Sequence, residues 1–242
     1  MRNQIDLRGK RILVTGGTTG IGRETIALLA GEGARVLTFG RDPEPLEQAL
    51  AYAEGAIGLT ADASTGEGID RVFAEIDARL GGIDILVANA ALGAQPIHEM
   101  PEEDWRTVIE TNLVGYLACA RASIKRMSRE GGGHLLFVGS ISSDIKAEGE
   151  SVYAATKAGV QAYAETLRKE VADKNIRVSV VQPGSVDTDM QECTPEEKRA
   201  AIAADKMLHA EDVADAIHFV LTRSARADVV NLRIEPRLQK TS

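Results

Sequence analysis

Tyr153 and Lys157 stand four residues apart in a segment of helical periodicity, so their side chains fall on one helix face. A phenol beside an ammonium is a proton donor and acceptor in waiting. An ordinary tyrosine titrates near pH 10, too high for efficient exchange at neutrality. A fixed positive charge favours the phenolate and draws that value down, each unit being worth about 1.4 kcal/mol. A Tyr-x-x-x-Lys pair arises by chance roughly one time in seven in a chain of this make-up, so its weight comes from its company. The first companion is Thr15-Gly16-Gly17-Thr18-Thr19-Gly20-Ile21-Gly22. Glycines 16, 20 and 22 stand where a strand turns into a helix. There they permit a tight turn, let a pyrophosphate approach the backbone and let helix pack on strand, while the helix N-terminus favours phosphate charge. The Lys-Ser/Thr ending of a P-loop is missing.

Seven short apolar runs must position these groups: Arg11–Thr15, Arg35–Phe39, Ala56–Thr60, Asp84–Ala88, His134–Val138, Arg177–Val181 and Val229–Ile234. Several are apolar at nearly every position, as strands covered on both faces are. Segments of helical period separate them: Ile21–Glu32, Pro45–Glu54, Gly66–Leu80, Glu102–Arg129, Ser151–Lys174 and Glu211–Arg223. Asp42 before Pro43, and Thr194-Pro195-Glu196-Glu197, carry helix-start chemistry, the second with the spacing of a capping box. Glu102-Glu103-Asp104 after Pro101 suits a helix N-terminus. Unbroken alternation of strand and helix predicts an α/β fold, a doubly wound parallel sheet of about seven strands with helices on both faces. No linker or repeat divides the chain, so residues 1–242 read as one domain.

The octet has the spacing Thr-Gly-x-x-x-Gly-x-Gly and resembles the glycine motif of the classical short-chain dehydrogenase/reductase family. Further motifs follow in that family's order from about Lys10 to about Ile234. Ala88-Asn89-Ala90-Ala91 is similar to its Asn-Asn-Ala-Gly, with only the two central residues matching. Asn112 falls at the place of its asparagine, and Ser140 precedes Tyr153 by thirteen residues. Pro183-Gly184-Ser185-Val186-Asp187-Thr188 resembles its Pro-Gly turn. The resemblance implies a Rossmann-fold oxidoreductase transferring hydride between a nicotinamide and a carbonyl/secondary alcohol pair. It implies Asn112, Ser140, Tyr153 and Lys157 as the catalytic set. Tyr153 would donate or accept the proton, and Ser140 would hydrogen-bond the substrate oxygen. Asn112 would hold a water linking Lys157 to solvent, and Lys157 would also grip the nicotinamide ribose. Cofactor contacts are implied for Gly16, Thr18, Thr19, Gly20, Ile21, Gly22, Asp62, Ala63, Asn89, Pro183, Gly184, Val186 and Thr188, together with Tyr153 and Lys157. Asp62 lies where the family holds adenine.

NAD-preferring domains of this type usually end the second strand in an acid. Here Gly40 stands there, followed by Arg41, whose guanidinium could clamp a 2′-phosphate. NADP(H) is therefore expected in preference to NAD(H), although Asp42 is adjacent and Thr19 is not the basic residue some NADP-dependent relatives carry. The segment 188–210 should cover the substrate, with Met190, Met207 and Leu208 forming a partly apolar lid. The ending Val229–Pro236 lacks the glycine-containing close common in 3-oxoacyl-carrier-protein reductases, which favours a miscellaneous carbonyl reductase. The alternatives are a dinucleotide-binding sensor or scaffold with vestigial chemistry, or, by the resemblance, a 3-oxoacyl-carrier-protein reductase-like enzyme.

With 44% hydrophobic residues, 26% charged and a net charge of −8, the composition is that of a soluble globular chain. The acidity argues against a phosphate-tracking nucleic-acid surface. No run approaches the length of a membrane span, and Met1–Lys10 has no apolar leader-like core, so the cytoplasm is the expected compartment. Cys119 and Cys193 are too few for a disulfide framework, and His98, His134, His209 and His218 form no metal pattern; no metal is expected. Tyr163, with Leu167 rather than lysine four on, reads as packing. By the resemblance, pairing through the helices near Gly115–Arg129 and Ser151–Lys174 would give a homodimer or homotetramer. Ala154, Ala155, Ala158 and Gly159 would permit close helix contact there or simply pack the core.

Overall fold

A computed structural model describes residues 4–191 and 193–239. Among them the strands are β1 (Arg11–Thr15), β2 (Arg35–Gly40), β3 (Ile57–Thr60), β4 (Ile85–Ala88), β5 (Gly133–Val138), β6 (Ile176–Pro183) and β7 (Asn231–Ile234). They form one sheet in the order β3-β2-β1-β4-β5-β6-β7, every neighbouring pair parallel. All seven predicted runs are present to within a residue or two at their ends. Strand period decides which residues face which layer. In β1, Leu13 faces one core and Ile12 and Val14 the other; in β5, Leu135 and Phe137 oppose Leu136 and Val138.

The first layer is covered by α3 (Gly66–Glu75), α5 (Gly115–Glu130) and α6 (Ser151–Glu170), through Phe73, Tyr116 and Val160 among others. The second is covered by α1 (Gly20–Gly31), α2 (Pro43–Tyr52) and α8 (Ala210–Leu221), through Leu29, Ala49 and Ile217. Tyr163 packs edge-on against Phe137 at 5.8 Å, as its sequence context predicted. Because the chain leaves β1 toward β2 and later returns to β4 on its other side, a crevice opens at the carboxyl ends of these two strands.

The predicted helix Glu102–Arg129 is interrupted. After α4 (Glu102–Ile109) comes a wider π-type turn, Glu110–Val114, before α5 begins. Such a turn admits an extra residue and re-aims its neighbours. Here it buries Thr111 and Asn112, and Gly115 at its exit has no room for a side chain: a Cβ would lie 2.6 Å from the Ala63 carbonyl oxygen. A second π-type turn, Ile76–Leu80, extends α3. Asp42 occupies the N-cap of α2 but makes no capping bond; Pro43 alone supplies the expected start signal. The capping box at Thr194–Glu197 is formed in full and opens α7 (Pro195–Ala203).

Candidate active site

The glycine loop is shaped by contacts that exclude side chains. Gly16 adopts a φ of +66°, and a Cβ there would come within 2.7 Å of the Ala90 Cα. A Cβ on Gly22 would lie 2.1 Å from the Gly16 carbonyl oxygen. Asn89 ties this loop to the end of β4, its Nδ2 donating to the carbonyls of Thr15 and Gly16 at 3.1 Å each. The Thr15 hydroxyl receives the backbone N–H groups of Asn89 and Ala90. Asn89 thus holds the loop as well as lining the crevice.

The crevice encloses about 540 Å³, and every residue expected to touch a cofactor borders it. Gly16 and Thr18 to Gly22 form one end, Arg41, Asp62 and Ala63 flank it, and Pro183, Gly184, Val186 and Thr188 close the other side with Asn89, Tyr153 and Lys157. Asp62 is also used locally, accepting from the N–H and hydroxyl of Ser64 at 2.8 Å each. Backbone N–H groups at the head of α1, behind a loop whose Gly16 and Gly22 leave no room for a Cβ, suit a pyrophosphate.

Ser140, at the end of β5, and Tyr153, in the first turn of α6, border both this crevice and a second chamber of about 1040 Å³. Ser140 acts on Tyr153, favouring its phenolate. Beyond them the Ser140 hydroxyl donates to Ser142 Oγ at 3.2 Å, which donates to Glu150 at 3.0 Å. Lys157 is only 1% exposed. Its Nζ donates to the Val138 carbonyl at 2.9 Å and to the Tyr116 hydroxyl at 3.4 Å, and sits 5.7 Å from the Tyr153 ring centre.

Burial sets the proton affinities here. It lowers Lys157 to about 7 and raises Tyr153 to about 12; Ser140 opposes the rise and the Glu150 charge adds to it. The expected lowering of Tyr153 by the ammonium is therefore not the balance found, because desolvation of the phenolate dominates. Asn112 does not border the crevice. Fully buried in the π-type turn, it accepts from the Leu92 N–H at 2.7 Å and donates to the Leu92 carbonyl at 2.8 Å, fixing the loop after β4 that walls both spaces.

The covering segment is only partly the expected apolar lid. Met190 borders both spaces. Met207 is buried, and Leu208 packs beside Val186, its backbone bonded to Ser185 and Asp187. Three contributors were not foreseen. Lys198 on α7 donates to the Thr188 carbonyl at 2.7 Å and pins the segment to the crevice. Gln239 borders the chamber while its Oε1 accepts from the Ser185 N–H at 2.9 Å. Tyr116 meets Lys157 from below; as one more apolar residue on a helix it carried no signal in the spacing. Among the described residues no cluster of His, Cys, Asp and Glu could hold a metal, and no helix is long and apolar enough to cross a membrane.

Comparison with known proteins places these features in a lineage. The sequence profile described as short chain dehydrogenase matches residues 10–199. The 3-oxoacyl-[acyl-carrier-protein] reductase of Escherichia coli K12 is 33% identical over 228 residues, covering 91% of this chain and 93% of its own. That of Vibrio cholerae is 31% identical over 227 residues, covering 91% and 93%. An uncharacterized oxidoreductase of Staphylococcus epidermidis is 30% identical, covering 95% and 98%. Among solved structures, a chain described as a short-chain alcohol dehydrogenase from Sinorhizobium meliloti superposes with a TM-score of 0.84 at 29% identity, covering 94% of this chain and 95% of that one. A profile spanning most of the sequence and relatives aligned nearly end to end leave one conclusion: this chain belongs to the short-chain dehydrogenase family.

Proposed function

We propose that the protein is an NADP(H)-dependent oxidoreductase that interconverts a small carbonyl compound and its alcohol, with Tyr153 as general acid and base. The observation that carries this reading is the place of Tyr153 and Ser140, on the wall shared by the cofactor crevice and the open chamber. The nicotinamide supplies or takes the hydride. Tyr153 then needs only to hand its proton to the substrate oxygen or receive one, while the Ser140 hydroxyl donates a hydrogen bond where negative charge grows on that oxygen. A phenol held near 12 rests protonated, the state that carbonyl reduction consumes. Lys157, buried below, supplies the positive charge that a phenolate requires. Arg41, at the rim of the crevice with Gly40 before it, supports the preference for NADP(H).

Similarity to reductases of carrier-protein-bound 3-oxoacyl groups supports a second reading, that such a thioester is the carbonyl substrate. The Val229–Pro236 ending and the acidic balance of the chamber wall, with Asp104, Glu148, Glu150 and Asp189 against Arg41, favour a free small molecule instead. We place the enzyme in the cytoplasm as a homodimer or homotetramer. The test is oxidation of NADPH and of NADH across a carbonyl panel that includes 3-oxoacyl thioesters, comparing wild type with Tyr153→Phe. Turnover favouring NADPH and lost in the variant is expected. Tight cofactor binding without wild-type turnover would instead indicate a dinucleotide-binding sensor, and full activity in the variant would remove Tyr153 from the mechanism.

A further inference from the structure

Lys157 is a buried cation without a buried anion. Among the described residues no carboxylate pairs with it, and its recorded hydrogen-bond partners are two neutral oxygens, the Val138 carbonyl at 2.9 Å and the Tyr116 hydroxyl at 3.4 Å. A desolvated ammonium depends on such dipoles and on aromatic faces for whatever compensation it receives. Tyr116 supplies both. Its ring centre lies 5.1 Å from Nζ, and its own hydroxyl donates to the same Val138 carbonyl at 3.3 Å, closing a triangle of phenol, ammonium and carbonyl. Tyr116 is 2% exposed, and its ring stacks on Phe137 at 6.2 Å and 22°, so the hydroxyl is held from behind by β5.

We propose that Tyr116 is a positioning residue of the active site, holding the Lys157 ammonium between its own hydroxyl and the Val138 carbonyl so that the charge stays below Tyr153. The inference rests on the oxidoreductase reading for its consequence in catalysis, but not for the hold itself. The other groups facing this cluster do not substitute for the hydroxyl. From α5, Cys119 is buried, with its thiol pushed up to about 12 and so neutral. From α6, Tyr153 is protonated near neutrality, and Glu150 at the head of that helix acts on Tyr153 and is spent on Ser142. Asn112, from the π-type turn, is engaged with Leu92. Removing the Tyr116 hydroxyl takes a partner from the charged form of Lys157, which then loses its proton at lower pH.

The experiment is Tyr116→Phe, which keeps the ring, the stacking and the volume. Lys157 is titrated by NMR in lysine-labelled protein, its resonance assigned by disappearance in Lys157→Met, and the pH profile of kcat/KM for carbonyl reduction is recorded alongside. The expected result is a Lys157 midpoint about one pH unit lower in the variant, a tenfold change in its ionisation constant. The alkaline limb of the rate profile should move the same way, with the melting temperature close to wild type. A midpoint equal to that of the wild type, in a folded variant, overturns the proposal. A lowered midpoint beside a wild type that turns over no carbonyl leaves the hold of Tyr116 on Lys157 standing and overturns the oxidoreductase reading instead. A lowered midpoint with an unmoved rate profile in an active enzyme overturns the catalytic part of the proposal.

Discussion

The two ends of the sheet treat charge in opposite ways. At the amino ends of β1, β4 and β5, the Arg11 guanidinium meets Asp84 at 2.7 Å and also Glu130, while its backbone N–H donates to Asp84 as well. Burial alone would raise Asp84, but the Arg11 hydrogen bonds outweigh it and hold the carboxyl below its ordinary value; Arg11 is raised in turn. Arg35 caps the carbonyls of Arg79 and Leu80 close by. At the carboxyl ends, Lys157 has only neutral partners among the described residues, and burial lowers it to about 7. Paired charge resists change in protonation and favours the folded state. Unpaired buried charge costs stability and leaves a group ready to respond to whatever enters the crevice.

The sharpest way to break this contrast is at the reactive end. Tyr153→Phe is expected to lower turnover on the order of a thousandfold, within the range that a lost general acid costs. The melting temperature should hardly move, because Tyr153 lies on the wall shared by the crevice and the chamber and not in the core. A large fall in melting temperature would give Tyr153 a structural role and blur the distinction between the two ends.

Asp84→Asn is the mirror experiment. The pair it breaks is partly exposed, Arg11 at 20% and Asp84 at 25%, so the cost lies between that of surface and buried pairs, about 2 kcal/mol. Denaturant unfolding should register that loss while activity per folded molecule stays constant. The wild-type pair is linked to pH with a definite sign. A carboxyl held low in the folded state contributes its stability above the ordinary value of 3.8 and loses it as pH falls through the lowered one.

His134 gives a smaller effect from the same end of β5. It is buried, its Nε2 lies 2.8 Å from Ser179 Oγ, and burial, helped by Arg177, lowers it from 6.5 to about 3. The unfolded chain therefore binds the extra proton between those values, and stability falls as pH drops below 6.5. The loss by pH 5 should be about 1.5 kcal/mol, measured by denaturant unfolding and removed in His134→Gln. An unchanged pH dependence in that variant would mean that carboxylates, not His134, carry the acid sensitivity.

These two ends also differ in how far they could be read from residues alone. Strands buried on both faces announce themselves as unbroken apolar runs, and the glycine loop is legible because its constraint is local: Gly16 must take a positive φ within one turn. The pairing Arg11–Asp84 spans 73 residues and Gln239–Ser185 spans 54, and no local pattern encodes such contacts. Tyr116 is hidden for a related reason. Its helix position is what any core aromatic would occupy, and only the arrival of α6 across β5 brings Lys157 to its hydroxyl. The wider turn at Glu110–Val114 escaped too, because no Gly or Pro within it marks the break in the helix, although it is what buries Asn112.

Arg41 tests the comparison where it is weakest, because this cation is exposed and still belongs to the reactive end. An acid at position 40 would place a Cβ 2.4 Å from Thr18 Cγ2, so the usual ribose-binding carboxylate could be accommodated only by a shift of Thr18. Arg41 is then the charged side chain at that rim suited to an added phosphate, opposed by the neighbouring Asp42. Arg41→Ala should weaken NADPH binding about tenfold, as expected for one solvent-screened charged contact, and leave NADH almost untouched, read by calorimetry at two salt concentrations. Equal losses for both cofactors would make the residue a packing element of the rim. A selective loss that shrinks with salt would show that the carboxyl end of the sheet uses free positive charge twice, buried in Lys157 to hold a reacting group and exposed in Arg41 to choose what binds.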